Sequence, residues 1–105
     1  MTFIEKIKHQ ERAVLLTGEI HLAYYDADDQ VVIEIHRRFD PELDDWINYV
    51  EVWNDKDLQV VRAEWTPLHG VRLNDGLPVE KAFELVLAAR NGNVLETLDR
   101  LKLFE

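Results

Sequence analysis

From Glu19 to His36 the chain changes polarity at nearly every residue, and this alternation constrains its fold more than any other feature. Ile20, Leu22 and Tyr24 alternate with Glu19, His21, Ala23 and Tyr25; after Asp26-Ala27-Asp28-Asp29-Gln30, Val31, Ile33 and Ile35 alternate with Val32, Glu34 and His36. Successive strand side chains point to opposite faces, so a period of two reads as a β-hairpin with one apolar face. Centring the turn on Asp28 and Asp29 sets His21 opposite His36, Ala23 opposite Glu34 and Tyr25 opposite Val32 on the other face. A slip of one residue would exchange the faces and separate the histidines.

Phe39 to Asp45 interrupts the pattern, because Pro41 cannot serve a central strand and the residue before a proline favours a turn. Ile47 to Trp53 and Leu58 to Thr66 are rich in aromatic and β-branched residues, with turn chemistry in Asn54-Asp55-Lys56-Asp57, and predict a second hairpin. A symmetric register places Trp46 opposite Trp65 and Val50 opposite Val61. Tyr49, Glu51, Trp53, Val60, Arg62 and Glu64 then fall on a mixed outer face.

At the N-terminus, Thr2 and Glu5 have capping-box spacing, and Phe3, Ile4, Ile7, Val14 and Leu15 follow helical spacing broken only by Glu11. This predicts a helix over 3–16 that Gly18 stops, although its last turn also reads as the start of a strand. Pro67 to Gly76 reads as a connection. Pro78 suits a first helical position, Val79, Ala82, Phe83, Val86 and Leu87 form a stripe ending at Asn91-Gly92, and Asn93 with Glu96 can cap a last helix through Leu101. The expectation is a single α+β domain over 1–105: a four-stranded antiparallel sheet made of two hairpins, run as a simple meander. An N-terminal helix and a C-terminal helix pair pack on one of its faces.

The chain has 105 residues and no Cys, which excludes thiolate nucleophiles, cysteine zinc sites and redox pairs. Ser is absent too, which excludes a serine nucleophile, and the scattered glycines form no phosphate-cradling loop. Asp26-x-Asp28-Asp29 has the start of a calcium loop, but Val31 stands where the sharp-turn glycine belongs and Arg37 where the bidentate glutamate belongs. No apolar run approaches the roughly 20 residues that span a bilayer, and the first residues lack the order of a signal peptide. The sequence therefore predicts a cytoplasmic protein without a membrane partner and without a cofactor.

Ala88-Ala89-Arg90-Asn91-Gly92-Asn93-Val94, at the junction of the two C-terminal helices, resembles the turn between the last two helices of ubiquitin-associated domains. The likeness covers that helix pair alone. The family's first helix and its Met-Gly loop have no counterpart here. The same pair lacks the basic excess that a DNA-reading helix-turn-helix needs, with Glu96 and Asp99 set against Arg100 and Lys102.

The formal charge is −9, and residues 19–66 hold thirteen acids against four bases while the flanks are nearly neutral. Such a field repels nucleic acid and attracts basic partners. In a meander the loops at 26–30 and 54–57 emerge at one end of the sheet, which gathers Asp26, Asp28, Asp29, Asp55 and Asp57 there. Tyr25 and Trp53 are large aromatics assigned to the outer face, of the kind that interfaces favour. These residues predict a non-enzymatic acidic module for a basic protein partner, acting as neutraliser, adaptor or small chaperone; a homodimer is compatible with the same surface. The alternative is a small metal-assisted or ligand-binding enzyme in which His21 and His36, about 5 Å apart across the hairpin, share an ion with Glu34.

Overall fold

The computed structural model describes residues 3–54 and 59–102. A single helical turn, α1 (Phe3–Lys6), leads into β1 (His9–Val14), β2 (Ile20–Tyr25), β3 (Val31–Asp40), β4 (Asp45–Asn54), β5 (Gln59–Thr66) and β6 (Gly70–Leu73). Two helices follow, α2 (Val79–Asn91) and α3 (Val94–Leu101). The strands form one antiparallel sheet in the order β1-β2-β3-β4-β5-β6. The fold is α+β and the meander is present, but the sheet has six strands, not four.

Both added strands are edges. The expected N-terminal helix ends at Lys6, and its remainder is β1, which pairs through Gln10 with Tyr24, Arg12 with Leu22 and Val14 with Ile20. Every β1 residue is exposed, so the segment has no apolar helical face to bury and gains more from the unpaired backbone of β2. Its polar residues also discourage pairing with a further chain. Gly18, with φ +90°, closes the β1–β2 turn, where its N–H donates to the Leu15 carbonyl and the Leu15 N–H to that of Glu19. At the other edge, residues 70–73 pair with β5 within the stretch expected to be a connection; four residues with a bulge at Glu64/Trp65 give too short an alternation to read.

The first hairpin has the expected register, His21 with His36 and Ala23 with Glu34, until a bulge sets Tyr25 opposite Val31 rather than Val32. The second is shifted by two: Val50 faces Ala63, Val52 faces Val61, Trp65 faces Asn48, and Trp46 pairs back with Phe39. An even shift preserves the faces, which is why the apolar residues still converge. The Asn54–Asp57 turn centre and Thr2 lie outside the described residues, apart from the strand end at Asn54.

The two C-terminal helices form as expected. Gly92 adopts φ +84° as the C-cap of α2, its N–H bonded to the Ala88 carbonyl; Asn93 precedes α3 without a side-chain cap bond. Leu85, Val86, Val94 and Leu98 bury against Ile33, Ile35, Val50, Val52, Val61 and Ala63. α2 lies over β4, β5 and β6, and α1 leans on α3. Ile33, Ile35 and Tyr24 are buried on the same face, and a cleft opens over β2 and β3 beyond the end of α2. Among the described residues no helix is long and apolar enough to cross a membrane.

Candidate functional site

Where α2 stops, the covered face opens into a cleft of about 400 Å³. Ile20, Leu22 and Tyr24 of β2 and Ile35 of β3 give it an apolar floor; Val86, Ala89 and the turn at Asn91 and Gly92 form the helical wall. Arg12 from β1, Arg37 from β3 and Arg90 from the last turn of α2 also line it, with Gln10 and Asn48. His36 and Tyr49 alternate with those floor residues, so they meet the cleft through main chain.

No acid is among the fifteen lining residues. One residue in five of the chain is acidic, 21 of 105, so fifteen drawn at random would include three. Arg62, Arg72 and Arg100 each hold a carboxylate of Glu51, Glu64 or Glu84; among the described residues the three cleft arginines hold none. Arg37 is oriented nevertheless. Its Nη1 donates to the Gly18 carbonyl at 3.1 Å and its guanidinium lies 4.2 Å above the Trp46 ring, which leaves most of its five N–H groups unused.

Tyr24 and Asn48 are more than nine-tenths buried, and neither the phenol nor the amide has a hydrogen-bond partner among the described residues. Both retain some contact with the cleft or its solvent, since no buried side-chain polar atom is left unsatisfied. Burial raises the Tyr24 pKa, so its hydroxyl stays protonated and able to donate.

The opposite face carries the sequence-predicted metal residues. Their ligating atoms, in His21, Glu34 and His36, all lie within 4.8 Å of one another, and the two imidazoles stack with centroids 4.4 Å apart. Beside them Glu51 is buried, accepting from the Tyr49 hydroxyl at 2.5 Å and from Arg62 Nε at 2.7 Å. Burial, then the bond to Glu51, pushes the Tyr49 pKa up to about 12; the same carboxylate raises that of Arg62.

The predicted partner residues are dispersed. Asp26 Oδ1 accepts from the backbone N–H groups of Asp28 and Gln30, which makes it a strut of its own loop. Asp28 and Asp29 are exposed, with Asp29 in the left-handed region at φ 58° and 3.9 Å from His9. Tyr25 is half-buried, stacks on His9 and donates to Glu11, a bond that is the main cause of its raised pKa. Trp53 is half-buried, and Asp55 and Asp57 lie outside the described residues.

Of the cleft residues, sequence reasoning singled out only His36, and for the opposite face, yet two others left a mark. Arg37 and Asn48 occupy the apolar parity of β3 and β4, in line with Ile33 and Ile35 and with Val50 and Val52. A polar residue on the core side of a strand signals either a buried pair or a lined cavity. Arg12, read as helical, could be placed only once β1 was known. No known protein family, curated protein or solved structure matches the chain.

Proposed function

We propose that the protein is a non-enzymatic binding module whose cleft takes a small amphipathic anion, an apolar body carrying a carboxylate, sulfonate or phosphate. The observation that carries this reading is the acid-free lining: three arginines without carboxylate partners among the described residues, around an apolar floor, in a chain of net charge −9. The cleft volume falls within the usual range for small-ligand sites, roughly 300–1,000 Å³. The apolar body would lie on Leu22 and Ile35. Arg12 and Arg37, two strands apart and therefore on the order of 10 Å at the backbone, flank the place for the charged head. Arg90 offsets the partial negative charge at the end of α2, and Tyr24 and Asn48 supply hydrogen bonds of orientation.

Decanoate, decylammonium and decanol form a matched set of probes. Titrated into the full chain and followed by backbone amide shifts, decanoate should perturb Leu22, Tyr24, Asn48 and Ala89 at one molecule per chain. The paired Arg12→Ala and Arg37→Ala change should weaken it by roughly a hundredfold or more, each lost charge-assisted contact being worth about 1.5–3 kcal/mol. Decylammonium binding as well as decanoate, or shifts confined to other surfaces, would overturn the reading.

A basic protein partner is the second reading, and the exposed carboxylates of Asp28 and Asp29 favour it. Its acidic surface is narrower than the sequence suggests, since Asp26 serves its loop. Such binding would be screened by salt and indifferent to the cleft arginines, which separates it from the first.

A further inference from the structure

We propose that His21, Glu34 and His36, on the face of the sheet opposite the cleft, form a binding site for a divalent transition-metal ion of the zinc type. Two imidazoles and one carboxylate suit such an ion and leave coordination positions open to water. The sheet supplies the convergence. His21 and His36 are direct partners across β2 and β3, and Glu34 stands two residues before His36 on the same face.

Zinc bonds of about 2.0–2.1 Å in a tetrahedron place neighbouring donor atoms about 3.3 Å apart. One such edge is already present, because His36 Nε2 and Glu34 Oε2 are separated by 3.4 Å. The third ligand atom belongs to His21, within 4.8 Å of both. Its ring is exposed and stacks on that of His36, which keeps its nitrogens beside the same edge. The half-buried His36 is the steadier member. Its ring lies tilted against that of Tyr49, centroids 5.8 Å apart, and the Tyr49 hydroxyl is fixed on the Glu51 carboxylate that Arg62 holds.

Electrostatics point the same way. Glu34 stands directly across from Glu51, and like charges so placed oppose each other. Arg62 compensates Glu51 at 2.7 Å, whereas the side-chain contact of Glu34 among the described residues is the imidazole of His36. A dication between Glu34 and the two rings supplies the missing positive charge.

The test is calorimetric titration of the full chain with zinc chloride, alongside nitrogen-detected spectra of the four histidine rings. The expected result is one ion per chain with movement of the His21 and His36 ring signals, while those of His9 and His69 stay in place. His21→Ala and His36→Ala should each lose roughly tenfold or more in affinity, and Glu34→Gln less. His21 is exposed, so its variant should keep the wild-type circular dichroism; the wild-type ring shifts decide the matter even if His36→Ala fails to fold. Absence of heat and ring shifts, or unchanged affinity in His21→Ala, would overturn the proposal. So would movement of the His9 or His69 signals instead. Decanoate binding bears on none of these outcomes, because the cleft lies on the other face.

Discussion

The two faces of the sheet bury side chains by different means. On the helix-covered face Leu85, Val94 and Leu98 interlock with Ile33, Val50 and Val52, and burial comes from a second layer. On the opposite face Ala23 and Ile47 are also buried, and neither belongs to the core cluster that the helices join. The polar residues of that face satisfy one another, as Tyr49, Glu51 and Arg62 do. The contrast shows why each face can carry a different kind of site. A covered face leaves a cleft where its cover runs out; an open face leaves a polar row whose spacing is set by strand register.

The largest test of this difference is Leu85→Ala against Ile47→Ala, both buried. Leu85 fills the interface between layers, and its truncation should cost about 2–5 kcal/mol in urea unfolding, from lost transfer energy and the remaining cavity. Ile47 lies outside that core cluster, so its truncation should stay at the low end of the same range, about 2 kcal/mol. Equal costs would mean that the open face is a second rigid core.

Glu51→Ala comes next. It strands the half-buried Tyr49 hydroxyl without an acceptor and opens a gap, at an expected cost of about 1–3 kcal/mol. Glu34→Gln, directly across the strand, should lie within about 0.5 kcal/mol of wild type in metal-free buffer, because it removes a like-charge neighbour and little packing. A large loss at Glu34 would contradict the charge imbalance described above.

What could be read in the sequence follows the same division. The face assignments of β2 to β5 were legible, because alternation survives an even register shift: Val50 pairs with Ala63 instead of Val61, yet remains on the inner face. The histidine pair was legible because the bulge between Tyr24 and Tyr25, which separates it from the turn, restores the register that a turn centred on Asp28 and Asp29 would give. β1 was hidden, since Gln10, Glu11 and Arg12 carry no apolar period and their conformation is decided by the open edge of β2. The cleft was hidden with it. Its walls come from both ends of the chain, and only tertiary packing brings Arg12 and Arg90 to the same opening.

Tyr49→Phe should have a smaller effect, visible mainly in alkali. The ordinary tyrosine value is 10.0 and the folded one about 12, raised by burial and then by the bond to Glu51. Between these values the unfolded chain gives up its proton first and therefore binds fewer protons than the folded chain. Stability from this group is thus intact below about pH 10 and is lost as pH rises toward 12. Urea midpoints measured at successive pH values should fall less steeply in the variant over that window, with Tyr24 and Tyr25, both also raised, accounting for part of the residual slope. Parallel curves would show that Tyr49 ionises as readily folded as unfolded.

The smallest change, Arg37→Lys, asks whether the cleft needs a charge or a shaped donor. Lysine keeps the charge but loses the planar group that lies over Trp46 and reaches the Gly18 carbonyl. Stability should fall by no more than about 0.5–1 kcal/mol, the scale of an exposed cation–π contact. Trp46 emission should change, because the cation above its ring is now mobile and hydrated. Decanoate affinity should drop severalfold: a guanidinium held by the β1–β2 turn offers a carboxylate two parallel N–H groups, while an ammonium offers one point. Wild-type affinity in this variant would show that the acid-free lining attracts anions through charge alone. The Gly18 turn would then be a feature of β1 pairing and not of the site.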